Sequence, residues 1–514
     1  MMRNNIIKTA VVTLWALFSV ALCLNACEEN PSTGTVPSAI TLSADELVFT
    51  TPAAASLPMT VEAPNYPKVS GLPDWVTVTD GTYQDYKITF MFSVTDNPSY
   101  ADRTCNITVE SKGTLKTSFK ITQWGGGFTD SGLPDNNAVK RMHELGLGWN
   151  LGNQLDAYSG LMPSETAWGN PKATRQTFDQ IKSAGFTCVR IPVTWLGKIG
   201  PAPTYTIDSA WMERVKEVVE YAHSAGLQAI INTHHDENHG DNHWLNIKDA
   251  PGNLELNAQI KAEITAVWTQ IAEAFKDAGD WLMFEGFNEL NDGGWGWSAD
   301  FRKDPTRQCN VLNEWQQTFV DAVRATGGNN STRWLGISTY AANPEYEKYL
   351  KMPGDPAGRL MLSVHFYDPS DYTIGDAQYP EWGHTGKAGK KATWGDEEHV
   401  KDVFGNLFNK YVAKDIPVYV GEFGCSMRSK SDARAWGFYL YYLEYICKAA
   451  RTYGLPAILW DNGAAGTGKE HHAYFNHGTG AYVGYSKDAV DAMVKGWCTN
   501  DPEYTLDTVY NSAP

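Results

Sequence analysis

Two glutamates stand where this sequence can do acid–base chemistry. Glu289 closes the segment FEGFNE and Glu422 sits inside VGEFG, each where a short apolar run stops. A carboxyl pair of this kind suits displacement at an acetal carbon, one group donating a proton while the other attacks. Glycoside hydrolysis needs such a pair flanking the scissile bond, about 5–5.5 Å apart when the anomeric configuration is retained. The two environments must push the pKa values apart, leaving one carboxyl protonated and the other ionised near neutral pH. On this reading Glu289 is the acid/base and Glu422 the nucleophile, with Arg190 held in a charge-assisted pair that keeps Glu422 ionised.

Other apolar runs end in polar or aromatic groups as well. Asn150 and Asn153, Arg190, His234 and His235, Asn288, His365 and Tyr367, and Trp460 all fall at such ends. Glu285 lies four positions before Glu289 and is expected deeper. Asp156, Asp368 and Asp461 suit either sugar contacts or structural capping. Tryptophans crowd the loops at 168, 195, 244, 295, 297, 382 and 394. Trp195 reads as core. The segments GGWGWS and QYPEWGHTG have too few apolar neighbours to build a core, so Trp295, Trp297 and Trp382 are the expected sugar platforms, flat rings against flat C–H faces. The segment HDENH invites a zinc reading, but Asp236 follows His235 where a metalloprotease helix carries Glu, and the segment follows a strand. The loop DENHGDN lacks the calcium-loop pattern. No metal or organic cofactor is expected.

The elements that must position these groups are legible in the periodicity. From Lys140 onward, eight apolar runs (145–153, 186–193, 227–235, 281–289, 334–340, 360–367, 416–424 and 456–463) alternate with amphipathic stretches such as ATRQTFDQIKSAG and DSAWMERVKEVVEYAHSAG. Strand–helix alternation implies a parallel sheet, and eight units imply a closed (β/α)8 TIM barrel whose active site lies at the C-terminal ends of the strands. Glu289 ends the fourth run and Glu422 the seventh. Residues 38–125 read differently, as short period-2 runs separated by Gly, Pro, Asn and Asp, the pattern of a small all-β sandwich. The expected organisation is a leader (1–26), a tether (27–37), the sandwich (38–125), a Gly-rich linker (126–136) and the barrel domain (137–514).

Composition narrows the partner. Aromatic residues are plentiful, 19 Trp, 25 Tyr and 19 Phe, and need a structured home, which excludes a disordered chain. A formal charge of −17 without a basic patch argues against nucleic acid. A neutral polysaccharide suits an acidic protein with aromatic loops, and a monomer is expected. At the N-terminus Arg3 and Lys8 precede an apolar stretch from Ala10 to Leu22, too short to span a bilayer comfortably and right for a signal sequence. It ends in Leu24-Asn25-Ala26-Cys27, which resembles a bacterial lipobox with Cys27 as the lipidated residue, and Glu28 and Glu29 follow as in surface lipoproteins of Bacteroidetes. The membrane is then met through the lipid anchor alone, on the outer membrane and facing out. The other cysteines, Cys23 of the leader aside, form no CxxC pair, so no disulfide scaffold is implied.

GWNLGNQLDA, ETAWGNP, GFTCVRIPVTW, INTHHD, FEGFNEL, SVHFYDP, VGEFG and WDNG resemble, in order, the signature segments of glycoside hydrolase family 5 endoglucanases, over about 140–465. The nearest likeness is to the bacterial subgroup of endo-β-1,4-glucanases and xyloglucanases. The resemblance implies Glu289 as proton donor, Glu422 as nucleophile and Asn288 on the sugar 2-hydroxyl. It implies Arg190, His365 and Tyr367 around the carboxylates, Trp460 beneath the sugar, and His234 or His235 as a further pocket ligand. It also implies retention of configuration on a plant cell-wall glucan, xyloglucan first. Mixed-linkage glucan or cellulose, a xylanase or mannanase on the same scaffold, and a non-catalytic glycan-binding lipoprotein are the alternatives. LPDWVTVT, DNPSYADRTCNITVES and SFKITQWG resemble a BACON-type domain, whose role is glycan binding or, by preference, a spacer.

Overall fold

Alternation along eight short strands decides what the barrel holds inside. The strands are β1 (Gly148–Leu151), β2 (Cys188–Ile191), β3 (Gln228–Asn232), β4 (Leu282–Glu285), β5 (Leu335–Ser338), β6 (Leu360–Phe366), β7 (Val418–Phe423) and β8 (Ala457–Asp461). They pair in parallel and in sequence, and β8 returns to β1, so the sheet closes. Because strand side chains alternate with period 2, each strand gives one residue set to the lumen and the other to the helices. Cys188, Ile230, Met283, Met361 and Ile458 form an apolar cluster in the lumen. Two residues further along the strands come Arg190, Asn232, Glu285, Ser363 and Trp460, with Asn150 beside them, a polar layer above an apolar plug. The outward set, including Val189, Ile191, Ile231 and Phe284, joins the large core under the helices.

This computed structural model describes residues 35–49, 53–97, 103–123, 132–237, 243–375 and 379–514. The leader, Cys27 and residues 28–34 of the tether, residues 126–131 of the Gly-rich linker, and the loop at 238–242 with His239 lie outside the described residues. No helix among the described residues is long and apolar enough to cross a membrane.

Helices follow the strands as the amphipathic stretches require. Ser209–Ser224 buries Trp211, Val215, Val218, Val219 and Ala222, the spacing of one helix face, and Asp208 accepts the backbone N–H of Trp211 at its start. Gly226, at φ +73°, lets the chain turn out of that helix into β3.

The remaining unit of the chain carries the two antiparallel-rich sheets expected of a small sandwich. One orders Thr41–Leu42, Ala55–Glu62, Lys87–Val94 and Val76–Asp80, and the other Glu46–Phe49, Leu115–Gln123, Arg103–Ser111 and Lys68–Ser70. Lys87–Val94 alternates exposed and buried along its length, and its Phe92 meets Phe119 edge-on at 5.2 Å in the core.

Candidate active site

Arg190 organises the polar layer. Its guanidinium is wholly buried and donates to Glu285 Oε2 (2.8 Å), Glu422 Oε1 (2.8 Å), Asn288 Oδ1 (2.7 Å) and Asn150 Oδ1 (3.0 Å). Asn150 in turn donates to the Gly421 carbonyl. Glu285, the deeper carboxylate expected on β4, also accepts from Asn232, Ser363 and Tyr419. Burial pushes Glu285 up, but Arg190 and these donors outweigh it, and its pKa lies below the usual value. Glu285 therefore shares the charge of Arg190.

Glu422 receives less. Burial raises its carboxyl above the ordinary 4.5, Glu289 pushes the same way, and Arg190, His365 and Tyr367 only partly offset them. Arg190 does pair with Glu422 as expected, yet desolvation wins and the net direction is upward. Tyr367 donates its hydroxyl to Glu422 Oε2 (2.9 Å).

A register shift between β6 and β7 brings His365 level with Glu422. His365 Nδ1 lies 2.6 Å from Glu289 Oε1 and 3.6 Å from Glu422 Oε2. An oxygen of each glutamate and the imidazole nitrogen lie within 4.8 Å of one another. Burial drives the His365 ring down to about 4, so it is neutral at ordinary pH. Gly421 makes this possible, since a Cβ there would stand 3.1 Å from His365 Nε2.

A cleft of about 970 Å³ opens above these groups. Asn153, His234, His235, Asn288, Glu289, Trp295, Trp297, His365, Tyr367, Glu422 and Trp460 all line it, while Arg190 lies beneath. Trp460 lies parallel to His234, centroids 5.9 Å apart and planes 5° off, and Gly152 leaves room for its ring. The two histidines differ in charge. Burial takes His234 well below its usual value, and its Nδ1 meets the Asn232 amide at 3.2 Å, so Nε2 keeps the proton. For His235 burial also lowers the pKa, but Asp156 and Glu237, each 3.6 Å away, outweigh it and hold the ring up to about 10. Asp156 and Asp461 are fully buried and act as caps, Asp156 taking the N–H groups of Asn153 and Gln154 and Asp461 those of Gly463, Tyr474 and Phe475.

One expected platform is corrected. Trp382 is 2% exposed, donates Nε1 to the Gly395 carbonyl and packs among Tyr441, Tyr442 and Tyr445 of the helix Ala433–Thr452. Its own loop is polar, and the tyrosines that bury it arrive from about 60 positions away. Trp195 is core, as expected. Trp168 and Trp394, exposed in the cleft wall, take the place that Trp382 was expected to fill. Local composition marks these loop tryptophans alike.

Asp156, His234 and His235 also converge within 4.8 Å. Both nitrogens of the cationic His235 face carboxylates and His234 Nδ1 is engaged by Asn232, so this cluster is poor in free lone pairs for a metal.

Comparison with known proteins gives the site a context. The family model described as Cellulase (glycosyl hydrolase family 5) matches residues 152–466, and the BACON model, described as a putative binding domain, N-terminal, matches residues 68–123. The chain is 34% identical over 368 residues to Endoglucanase A of Paenibacillus barcinonensis, spanning 69% of this chain and 88% of that protein. Among solved structures it is similar to a GH5-4 broad specificity endoglucanase from Bacteroides salanitronis, 51% identical with a TM-score of 0.67 over 70% of this chain and 94% of that one. It is also similar to a family 5 xyloglucanase from Paenibacillus pabuli, 35% identical with a TM-score of 0.64 over 70% and 99%.

Proposed function

This chain belongs to glycoside hydrolase family 5, and from that premise we propose that it is a retaining endo-β-1,4-glucanase in which Glu289 is the acid/base and Glu422 the nucleophile. The observation that carries the reading is the approach of the two carboxylates, one oxygen of each within 4.8 Å and both against His365. Retention calls for about 5–5.5 Å between carboxyl groups, whereas inversion needs about 6.5–9.5 Å to seat a water.

In the first step protonated Glu289 gives its proton to the departing glycosidic oxygen while Glu422 attacks C1 and forms a glycosyl ester. In the second, Glu289 takes a proton from water, which attacks C1 and frees Glu422. Arg190 and Tyr367 fix the Glu422 carboxylate from two sides and would draw negative charge back as the ester breaks. The Oδ1 end of Asn288 is taken by Arg190, which leaves its amide donor for the sugar 2-hydroxyl. Trp460 supplies the floor beneath that sugar, and His234 a neutral donor beside it.

Xyloglucan is the proposed preferred substrate, with cellulose-type and mixed-linkage glucans behind it. Support comes from an open cleft with exposed indoles along its walls and from the likeness to a xyloglucanase. Initial rates on purified xyloglucan, mixed-linkage glucan, carboxymethylcellulose, xylan and glucomannan test this. Exclusive action on xylan or mannan overturns the glucanase reading, and proton NMR showing an initial α-anomer overturns retention. We propose in addition that Cys27 is acylated and anchors the protein on the outer cell surface. Cys27→Ser should release it from the membrane fraction.

A further inference from the structure

Glu422 and Tyr367 meet where the sheet no longer holds their chains together. Glu422 belongs to β7, whereas Tyr367 stands one residue beyond the end of β6, where the ladder has stopped. The 2.9 Å bond from the Tyr367 hydroxyl to Glu422 Oε2 therefore needs a second fastening. The Thr373 hydroxyl supplies it, donating to the Tyr367 carbonyl from the short helix Ser370–Thr373. Ser426, four positions past Glu422, donates twice to the Thr373 carbonyl, from its N–H at 2.6 Å and its hydroxyl at 2.8 Å. The circuit closes, from Glu422 through Tyr367, Thr373 and Ser426 and back along the chain to Glu422.

Arg428 holds both sides of this circuit. It is 6% exposed, and no carboxylate among the described residues comes within ion-pair distance of it. Its Nη1 donates to the Ser426 carbonyl, on the loop after β7. Its Nη2 donates to the carbonyls of Tyr372 and of Tyr379 (3.3 Å), on the loop after β6, and the guanidinium lies 4.6 Å over the Tyr372 ring. Burying a charge without a counter-ion is costly. A neutral side chain would fill the same space more cheaply, whereas a planar fork reaches the carbonyls of two loops at once.

We propose that Arg428 is a positioning residue for the nucleophile, holding Tyr367 at hydrogen-bond distance from Glu422 through Thr373 and Ser426. The inference rests on the reading of Glu422 as nucleophile. Arg190, His365, Tyr367 and Glu289 are the charged or titratable groups that face Glu422. Of the three that favour its anion, Arg190 and His365 sit within strands, and Tyr367 alone lies beyond one. A carboxylate that loses a hydroxyl donor is easier to protonate, so loosening this loop raises the pKa of Glu422 further. Attack needs the anion and needs it aimed at C1, so turnover falls as well. Arg428 is not among the residues that line the cleft, so substrate binding should change little.

The test compares pH profiles of kcat/KM for variants of the full chain on an aryl β-cellobioside, whose departure needs no proton. Arg428→Lys keeps the charge and loses the fork, and Thr373→Val keeps the shape and loses the hydroxyl. Each should lower kcat about tenfold with KM little changed, and move the acid limb up by about one pH unit. Tyr367→Phe should move the limb the same way. Adding Arg428→Lys to Tyr367→Phe should then give no further shift, because the bond it acts through is gone. Arg434→Lys, which loosens the ties of the same loop at Glu381 and Thr385, should leave the limb in place. Should Arg428→Lys fail to fold, Thr373→Val decides, alone and combined with Tyr367→Phe. An unmoved limb in the folded variants overturns the inference, as does a shift that survives in the Tyr367→Phe background or appears equally in Arg434→Lys. A limb that Tyr367→Phe itself does not move tells against Glu422 as the titrating nucleophile, and sinks that reading together with this one.

Discussion

Arg190 Nη1 lies 2.8 Å from Glu422 Oε1, with the arginine wholly buried and the glutamate almost so. The same guanidinium also meets the buried Glu285 at 2.8 Å. One cation thus serves two carboxylates; the deeper one is stabilised as an anion, while burial leaves the cleft-facing one with a raised pKa that Arg190 only partly offsets.

Removing Arg190 should therefore cost more than one ion pair. Arg190→Ala strands Glu285 as an unpaired buried charge, and a loss of about 3–5 kcal/mol in stability is expected from chemical denaturation. Arg190→Lys keeps the charge but cannot supply the four-bond fork, so it should fold better than the alanine variant and still lose most turnover. Equal stability of wild type and Arg190→Ala would contradict the arrangement.

The roles of the two glutamates separate by rescue. Glu289→Ala should lower turnover of glucan by roughly 10²–10⁴-fold, yet keep much of its rate on an aryl glycoside whose leaving group needs no proton. Azide should restore that variant and give a β-glycosyl azide. Glu422→Ala should fail on both substrates and, with azide, give the α-product. The reverse pattern swaps the assignments.

Activity should fall on the acid side as Glu422 is protonated, because only its carboxylate attacks. Its pKa lies above 4.5, so the acid limb of kcat/KM should show an apparent pKa above that value. A limb below 4.5 would mean that Arg190 and Tyr367 outweigh burial.

Stability should follow the histidines in both directions. His365 and His472 are held neutral, with pKa values of about 4 and about 3, against 6.5 in an unfolded chain. As pH falls below 6.5 the unfolded state binds protons that the folded state refuses, so stability drops by about 1.4 kcal/mol per pH unit for each such group. His235 has the opposite sign. Its pKa of about 10 adds stability that is complete below 6.5 and is lost as pH rises toward 10. Denaturation midpoints between pH 4 and 10 should form a dome. His235→Gln should flatten its alkaline side.

Trp382 and Trp297 should divide stability from binding. Trp382→Ala opens a cavity among the tyrosines of Ala433–Thr452 and should cost about 3–5 kcal/mol. Trp297 is 75% exposed and has the Arg302 guanidinium 5.9 Å over its ring, so Trp297→Ala should leave the melting temperature within a few degrees while raising KM on long glucans.

The barrel and its two glutamates were legible because they depend on local pattern. Period-2 strands, helical faces and the residue that ends each run are short-range signals, and they placed Glu289 and Glu422 at the ends of the fourth and seventh runs before any contact was known. Trp382 was illegible because its burial is made by distant tyrosines. The difference between His234 and His235 was equally hidden, since adjacent residues on one loop met different neighbours. Asn232 faces one, Asp156 and Glu237 the other.

The sequence by itself determined which residues alternate into the lumen, and so which chemical groups stand at the barrel mouth. Only the tertiary structure decided how charge is shared there. A pKa depends on burial and on every donor within a few ångströms, and those donors come from β1, β2, β3, β6 and β7 at once. No stretch of sequence contains that neighbourhood; closing the sheet creates it.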